Sequence, residues 1–455
     1  MGNNTELLKK YLVPGKRVHL VGIGGVSMRP LGLVLQGMGM YVTGSDMNSS
    51  VSTDELISKG IKVAIGHSEK NIDGADCIIR TAAAHNDNPE VAAARSRGIP
   101  MFERAEAWGV IMQAYQNAVC VSGTHGKTTT TSMITHILME ADVDPTVMIG
   151  GYLPLLHAGH RVGSGDTIVL ESCEYCDSFL NFFPTIAVIL NIEADHLDYF
   201  KDLQDVEKSF RNFAGLASRA VIANGDDPHV VETLQGMDYI SFGLDCVNRV
   251  HSANICPDWR HFDVICDGQF YCHLDLNVLG RHNALNALGA AAAAWVLGIP
   301  GEATAKGLES FSGAERRMQF KGTYNGAKVF DDYAHHPDEL AATISAVRSM
   351  EHKRIVVAFQ PHTYTRTKAL FDDFVKQLLE ADYLILAEIY AARERNSVGI
   401  SSRDLVDKIP GSVYCATLQD VTEHLCEIVC EGDVVLTIGA GDIFKAGEAL
   451  LQCND

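Results

Sequence analysis

The stretch ESCEYCDSF, residues 171–179, contains two sets of side chains that could do chemistry. Cys173 and Cys176 have the C-x-x-C spacing that is typical of redox and zinc sites. Carboxylates alternate with these cysteines, among them Glu171 and Glu174, and could bind a divalent cation through oxygen. Which set is functional depends on the elements that position the stretch.

A glycine turn precedes it: an apolar strand, the turn GTHGKTT and a helical pattern follow one another over residues 117–142. The turn is typical of a P-loop, although the strict pattern has a glycine where this chain has Val121. In a P-loop, backbone N–H groups surround phosphate oxygens, the lysine reaches the β- and γ-phosphates, and a hydroxyl binds Mg²⁺. The predicted phosphate-binding residues are Gly123, Thr124, His125, Gly126, Lys127, Thr128 and Thr129.

Two strand ends could supply the carboxylate that a P-loop needs beside its cation. The strand DTIVLES delivers Glu171 and Glu174. The next strand, IAVILNI, runs into EADHLD, which places Asp195, His196 and Asp198 at the ligand side of a parallel sheet. These side chains could bind a second divalent ion, or they could form a solvated acidic loop.

A second glycine turn, GIGGVS at residues 22–27, lies between a strand and a helix near the N-terminus. It resembles a dinucleotide fingerprint in which Ser27 replaces the third glycine, and Asp46 follows about 20 residues on, where it could bind a ribose hydroxyl. The pattern indicates a nucleotide diphosphate site or a tight turn without a ligand. A dehydrogenase would use such a turn, but it would leave the P-loop without a role.

Length and charge limit the function further. The chain has 455 residues, which predicts about three domains at roughly 150 residues each. Its net charge of −20 argues against binding to nucleic acid or to anionic membranes. The N-terminus has no apolar signal region, and no apolar run approaches the ~20 residues of a membrane helix, so we expect a cytoplasmic protein with reduced cysteines.

Polar residues also follow strands later in the chain. The strand candidates there are AKVFDDY, KRIVVAFQ, ADYLILAEIY and DVVLTIGAG. His335 and His336 come after the first strand, and His362 and Arg366 come after the second, which predicts a polar site at the strand ends. Upstream, Asn283 in GRHNALNAL is either a helix N-cap or a residue that pairs with an adenine edge.

The chain resembles the Mur ligase family over essentially its whole length. The resemblance rests on the motifs GIGGVSM, GSD, GTHGKTTTT, ESCEYCDSF, NIEADHLD, GRHNALNAL, GAERRMQF, DDYAHHPDE, FQPHTYTRT and IGAGDI. It implies an α/β protein of three domains. These are an N-terminal Rossmann-like domain for the UDP substrate (1–107), a central P-loop ATPase domain with a mostly parallel sheet (108–314) and a C-terminal Rossmann-like domain for the amino acid (315–455).

The resemblance also implies an activity and its residues. The activity is ATP-dependent ligation of L-alanine to the lactyl carboxylate of UDP-N-acetylmuramate through an acyl phosphate, a step of peptidoglycan precursor synthesis. The implied catalytic residues are Lys127, His335 and Arg366, and Asn283 and Arg316 join the P-loop in binding ATP. Ligands of two Mg²⁺ ions are Thr128, Glu174 and His196. Contacts to the UDP substrate are Gly24, Gly25, Ser27, Met28, Ser45, Asp46, His67 and Thr81.

Two departures from the family pattern bear on the substrate. Thr363 stands where some members have a second arginine, which leaves the alanine contacts open. At the place near Arg211 where ligases that add later residues carry a carbamylated lysine, this chain has no lysine, and this agrees with the alanine-adding branch. The alternatives are a ligase that recycles a whole peptide onto the same UDP sugar and a regulator without catalysis. We expect a monomer or a homodimer.

Overall fold

The computed structural model describes residues 2–197, 199–313, 316–348, 350–392 and 394–453. Its chain divides into two compact units. The first unit runs through Ala253 and includes Asp263–Leu274 and Asn286–Ser310; the second comprises Asn254–Phe262, Asp275–Leu285 and the chain from Phe311 onwards. Asp198 and the predicted domain boundary at 314/315 lie outside the described residues.

The N-terminal sheet has five strands: β1 (Arg17–Val21), β2 (Tyr41–Asp46), β3 (Lys62–Ile65), β4 (Cys77–Arg80) and β5 (Met101–Glu103). Its helices are α1 (Gly2–Lys9), α2 (Met28–Gly37), α3 (Val51–Ser58), α4 (Pro89–Arg97) and α5 (Arg104–Met112). The strand order is β3-β2-β1-β4-β5 and the pairings are parallel, as in Rossmann-like domains. The central strand β1, RVHLV, buries all but its first residue, because helices cover both faces of such a sheet.

The second sheet has ten strands and lies in the same unit, except for the strand residues His261, Phe262 and Asp275. They are β6 (Asn117–Ser122), β7 (Thr146–Leu153), β8 (Ala158–Arg161), β9 (Thr167–Glu171), β10 (Ile186–Ile189), β11 (Ala220–Asn224), β12 (Ile240–Gly243), β13 (Val250–Ala253), β14 (His261–Cys266) and β15 (Gln269–Asp275). The helices along this part of the chain are α6 (Lys127–Glu140), α7 (Leu203–Ala214), α8 (Pro228–Thr233), α9 (Arg281–Leu297) and α10 (Gly301–Ser310), with 3₁₀ turns at Pro154–Leu156 and Tyr175–Asn181.

The order of this sheet is β15-β14-β13-β12-β11-β10-β6-β9-β7-β8. Strand β6, which leads into the P-loop, is paired in parallel with β9 on one side and β10 on the other. The carboxyl ends of all three strands therefore meet at one edge, the ligand side of an open parallel sheet. This order brings the ESCEYCDSF and NIEADHLD stretches to opposite sides of the P-loop.

The third sheet lies in the second unit. Its strands are β16 (Gln319–Tyr324), β17 (Ala327–Asp332), β18 (Arg354–Phe359), β19 (Tyr383–Ala387), β20 (Val413–Cys415) and β21 (Asp433–Ile438), in the order β16-β17-β21-β18-β19-β20. Its helices are α11 (Pro337–Arg348), α12 (Tyr364–Ala369), α13 (Phe371–Leu378), α14 (Ser402–Val406), α15 (Leu418–Ile428) and α16 (Phe444–Gln452). Only the β16 pairing is antiparallel among those described.

Two apolar clusters pack against this third sheet. Along β18, Ile355 and Val357 belong to one cluster, whereas Val356 and Ala358 belong to the other. Successive side chains of a strand point to opposite faces, so the sheet is covered on both sides. The four strands predicted from this part of the sequence are confirmed as β17, β18, β19 and β21.

The predicted boundary between residues 107 and 108 falls inside α5, and the domain limits stay predictions. In the part of the chain that the structure describes, no helix combines the length and hydropathy needed to cross a membrane.

Candidate active site

The P-loop turn joins β6 to α6. Gly126 has φ +83° and precedes the first helical residue, Lys127. A Cβ atom at Gly126 would lie 2.5 Å from Oδ1 of Asn286, and Gly123 has φ +150°, so both positions favour glycine. Val121 is a fully buried residue of β6, so the departure from the strict P-loop pattern falls in the strand and leaves the turn unchanged.

Lys127 forms hydrogen bonds with the turn and with a carboxylate. Its Nζ donates to the carbonyl oxygens of Gly123 and Thr124 and lies 3.0 and 3.2 Å from the two carboxylate oxygens of Glu174. Burial acts to lower the pKa of Lys127, but the charges of Glu174 and Glu171 outweigh it and raise that pKa. The ammonium is therefore charged at neutral pH, and to bind a phosphate it would exchange one of these contacts.

Thr128 is held by the other carboxylate of the stretch. Its hydroxyl donates to Oε1 of Glu171 at 3.1 Å, and the second oxygen of Glu171 accepts from the N–H of Gly150 at 2.6 Å. Glu171 ends β9, directly beside β6. The sequence marked Glu171 as a carboxylate near a cation; its bond to the P-loop hydroxyl follows from the pairing of the strands.

Two further residues fix the turn from the side of β10. Asn191 accepts from the N–H of His125 at 2.7 Å and donates to the His125 carbonyl at 3.1 Å. The Glu193 N–H donates to Oγ1 of Thr124 at 2.9 Å, and its carboxylate lies 3.0 Å from Nε2 of His125. The sequence reasoning did not select Asn191 or Glu193. The feature that could have revealed them is their position immediately after a buried strand, in the motif NIEADHLD.

His196 approaches the same carboxylate as Lys127. Its Nε2 lies 4.0 Å from Oε1 of Glu174 and 3.8 Å from Oδ2 of Asp195. The ring of Tyr175 packs on the imidazole with centroids 4.7 Å apart. The structure therefore brings together Lys127, Glu174 and His196, three residues that the sequence places far apart.

The two cysteines of the stretch differ from what a redox or zinc site needs. Neither cysteine forms a disulfide within the described chain, and Cys176 is exposed. Burial raises the pKa of Cys173 to about 12, so its thiol is protonated at neutral pH. Because the thiolate is the reactive and metal-binding form, the carboxylates are the better candidates for chemistry here.

The N-terminal glycine turn is braced by Asp46. The N–H of Gly24 donates to Oδ2 of Asp46 at 2.9 Å. Gly22 has φ +80°, and a Cβ atom there would lie 2.6 Å from Cγ2 of Thr81. The N–H of Gly25 donates back to the carbonyl of Gly22 at 3.2 Å. Asp46 stands at the end of β2 as predicted; its contact with a ribose stays a prediction.

Three other residues predicted to contact the UDP substrate, Ser27, Met28 and Ser45, have their own contacts within the N-terminal domain. Met28 is 1% exposed and belongs to the apolar core, so only its backbone could reach a ligand. The carbonyl of Ser27 accepts from Nε1 of Trp108 at 3.3 Å. Ser45 is fully buried, and its hydroxyl donates to Glu90 at 2.5 Å. Their assignment as substrate contacts stays a prediction.

In the second unit, the two polar loops meet at the carboxyl ends of β17 and β18. The rings of His335 and His362 have centroids 5.8 Å apart, and Nδ1 of His362 lies 3.4 Å from a guanidinium nitrogen of Arg366. Tyr390 stacks on His362 with centroids 5.7 Å apart. His335 and Arg366 are thus brought together through His362. Tyr390, which the sequence did not point to, completes the cluster.

Arg316 is engaged within the same unit. Its Nε donates to Oδ2 of Asp331 at 3.0 Å, and its terminal nitrogens donate to the carbonyl oxygens of Gly441 at 3.0 Å and Gly439 at 2.6 Å. The guanidinium also lies over the ring of Tyr333. The ring of Phe444 is also within 4.5 Å of the guanidinium, so a contact between Arg316 and ATP would have to replace some of these hydrogen bonds or ring contacts.

Asn283 does not cap a helix. Helix α9 begins at Arg281, so Asn283 is its third residue, and its amide donates to the carbonyl of Leu279 at 2.7 Å. The N-cap interpretation is wrong for this reason. Adenine recognition by Asn283 stays a prediction.

Three family models match successive parts of the chain. They are the catalytic domain of the Mur ligase family at residues 17–116, the Mur ligase middle domain at 121–294 and the glutamate ligase domain of Mur ligases at 316–441. Together they cover most of the sequence. The chain belongs to the Mur ligase family.

Curated relatives resemble this Mur ligase along nearly its full length. The UDP-N-acetylmuramate–L-alanine ligases of Agathobacter rectalis and Acetivibrio thermocellus are each 45% identical over 96% of this chain, and the matches cover 97% and 96% of those proteins. Among solved structures, the UDP-N-acetylmuramate–alanine ligase of Thermotoga maritima is 28% identical with a TM-score of 0.80, covering 96% of this chain and 99% of that one. These matches confirm the predicted three-domain α/β fold class.

A murein peptide ligase of Psychrobacter arcticus is similar in fold, with a TM-score of 0.70 and 22% identity over 96% of this chain and 98% of that chain. At this identity the likeness concerns the fold alone.

Proposed function

We propose that this Mur ligase joins L-alanine to the lactyl carboxylate of UDP-N-acetylmuramate while converting ATP to ADP and phosphate. The observation that carries the proposal is the P-loop lysine, Lys127, paired with Glu174 beside His196, in a chain that is 45% identical to ligases of that name. The family resemblance and the site chemistry agree on a reaction that must bring two anions together.

Atoms and charges balance in two steps. An oxygen of the lactyl carboxylate attacks the γ-phosphorus of ATP, the bond to the β-phosphate oxygen breaks, and ADP leaves. The amine of alanine then attacks the acyl carbon, phosphate leaves, and the amine loses a proton. Both reactants of the first step are anions, so the charged ammonium of Lys127 and the N–H groups at the start of α6 offset their repulsion.

The residues at the P-loop edge fit Mg²⁺. The hydroxyl of Thr128 and the carboxylates of Glu171 and Glu174 are hard oxygen donors, which Mg²⁺ prefers. We assign Thr128 and Glu174 to one ion and His196 to a second. When bound, Mg²⁺ supplies positive charge at the phosphates; Glu171 keeps the Thr128 hydroxyl in place.

The remaining proposed contacts are those to the UDP moiety, in the N-terminal domain, and to alanine, in the second unit. Five residues are proposed for the UDP moiety: Gly24 and Gly25 in the N-terminal turn, Asp46 and Thr81 beside it, and His67 next to Ser45. In the second unit, His335 and Arg366 are proposed for alanine. An arginine beside two imidazoles can bind the amino-acid carboxylate, and a neutral histidine can accept the proton of the amine.

Replacing His335 with alanine tests the second of these roles. We expect turnover at saturating L-alanine to fall about 10²-fold and the KM for ATP to stay unchanged, because the loss of a general base slows the step at the amine alone. Steady-state kinetics with alanine and ATP varied in turn would measure both. His352→Ala is the matched control, since His352 precedes β18 and lies at the opposite end of the sheet. An unchanged alanine KM and turnover in His335→Ala would refute the role.

The function itself is tested by ATP-dependent phosphate release. The purified chain would be incubated with UDP-N-acetylmuramate, Mg²⁺ and one of four acceptors: L-alanine, glycine, L-serine or a cell-wall tripeptide. We expect the fastest release with L-alanine and a product heavier by one alanyl residue in mass spectrometry. Release with the tripeptide alone would favour the recycling ligase, and no alanine-dependent release would overturn the proposal.

A further inference from the structure

A buried polar cluster in the N-terminal domain is built around Glu90, a residue of α4 to which neither motif nor resemblance gave a role. Glu90 is fully buried. One of its carboxylate oxygens accepts from Ser45 Oγ at 2.5 Å and lies 3.3 Å from Nδ1 of His67. The other accepts from Nδ2 of Asn71 at 2.6 Å and from the N–H of Ser68 at 3.3 Å. All four carboxylate contacts come from outside α4.

The carboxylate of Glu90 is charged. Burial acts to raise its pKa, but the approach of His19 and the hydrogen bonds from Ser45 and Asn71 outweigh burial and lower the pKa to about 2. Nε2 of His19, a buried residue of β1, lies 3.6 Å from Glu90 Oε2, and its Nδ1 lies 2.8 Å from Oγ1 of Thr43. A buried charge is costly unless donors surround it, and here they converge from three segments of chain.

The cluster determines which nitrogen of His67 carries a proton. The Ser45 hydroxyl donates its hydrogen to Glu90, so the Ser45 oxygen can only accept from the ring. Nδ1 of His67 lies 3.1 Å from that oxygen and 3.3 Å from the Glu90 carboxylate, and both are acceptors, so Nδ1 is protonated. Nε2 of His67 has no hydrogen-bond partner among the residues that the structure describes, and the side chain is 12% exposed.

The same cluster supports the N-terminal glycine turn. The carbonyl of Ser45 accepts from the N–H groups of Gly22 and Ile23 at 2.8 and 2.9 Å. Asp46, the next residue, braces Gly24 through its carboxylate and accepts the N–H of Gly66 on its carbonyl. The turn and the loop that carries His67 are thus fixed to one another around Glu90.

Resting on the proposed function, we infer that Glu90 is a positioning residue for the UDP substrate. It secures Ser45 beneath the glycine turn and orients His67 so that Nε2 faces the uridine diphosphate moiety. Glu90 itself does not touch the substrate and acts through His67.

The test is a double-mutant cycle of Glu90→Gln and His67→Ala, with Glu69→Gln as the matched control. Glu69 is two residues from His67, and its side chain is 67% exposed. We expect Glu90→Gln and His67→Ala each to raise the KM for UDP-N-acetylmuramate about tenfold, the lower end of the loss typical for partners that orient metal-binding side chains. The KM for ATP and for alanine, and kcat at saturating sugar, should stay within about twofold of wild type.

The double variant separates positioning from stability. If Glu90 acts through His67, the double variant binds no worse than His67→Ala; additive losses would overturn the inference. A purely structural role would lower kcat with the folded fraction and leave the sugar KM unchanged, which also overturns it. If Glu90→Gln does not fold, Asn71→Ala, which removes a hydrogen bond to the Glu90 carboxylate, takes its place in the cycle.

Two measurements keep this inference distinct from the proposed function. Calorimetric titration with UDP-N-acetylmuramate reports sugar binding even if wild type shows no alanine-dependent phosphate release. Nitrogen-15 NMR of the imidazoles should show His67 protonated at Nδ1 in wild type and a changed tautomer ratio in Glu90→Gln. An unchanged ratio together with unchanged sugar affinity would contradict the inference.

Discussion

Replacing Lys127 with methionine is expected to lower kcat about 10³-fold or more, equivalent to about 4 kcal/mol of transition-state stabilisation. The ammonium lies within the P-loop, where it bonds the carbonyls of Gly123 and Thr124. Methionine keeps the length and apolar character of the stem but removes the charge that offsets the repulsion between carboxylate and triphosphate. Alanine-dependent phosphate release at saturating substrates measures the loss.

The same substitution leaves the buried carboxylate of Glu174 without its cation partner. Glu174 is 2% exposed, and Lys127 is its nearest cation in the described chain. Removing one partner of such a pair is destabilising, so we expect Lys127→Met to unfold at lower denaturant than wild type. The double variant Lys127→Met/Glu174→Gln should recover stability but not activity. Lys306→Met, in an exposed ion pair with Glu302, is the charge-matched control and should keep both. Recovery of activity in the double variant would contradict the catalytic role of Lys127.

Replacing Glu174 with glutamine is expected to lower kcat by about 10²-fold to 10³-fold and to raise the Mg²⁺ concentration for half-maximal activity more than about tenfold. Glutamine has nearly the same shape, but it is a weaker ligand and no longer pairs as an anion with Lys127. Activity titrated with Mg²⁺, and calorimetric binding of Mn²⁺ in the presence of ADP, would measure the two effects.

The cysteines on either side of Glu174 provide the control for this change. The double substitution Cys173→Ala and Cys176→Ser leaves the carboxylates in place and should retain most of the Mg²⁺-dependent activity. If the cysteine variant lost that activity while Glu174→Gln kept it, the stretch would be a thiol site and the assignment of Glu174 would be wrong.

Much of the architecture could be predicted from local sequence patterns. Buried strands such as IAVILNI and DVVLTI are continuous apolar runs, and glycine turns with an adjoining helix mark the two nucleotide-type turns. The strands of the third sheet and the P-loop could be located because their signals span only a few residues. The prediction that Asn283 is an N-cap was wrong because sequence patterns do not locate the first residue of a helix to within one or two positions.

The contacts of the site depended on sheet order. Glu171 meets Thr128 because β9 pairs with β6, although 43 residues separate them in the chain. Asn191 and Glu193 form hydrogen bonds with the P-loop because β10 pairs with the other side of β6. Strand order is decided by the packing of helices over both sheet faces, which no local period encodes.

From the residues alone, a lysine in a glycine turn and carboxylates after neighbouring strands predicted a P-loop site for phosphate and a divalent cation. The second glycine turn predicted a nucleotide diphosphate site or a turn without a ligand, and the reaction followed from the resemblance of the motifs to the Mur ligase family. In ESCEYCDSF, the tertiary structure favours the carboxylates over the cysteines as the functional side chains. It buries the thiol of Cys173 in its protonated form and places Glu174 against Lys127. It also revealed Glu90, because a buried carboxylate is recognisable only by the donors that surround it.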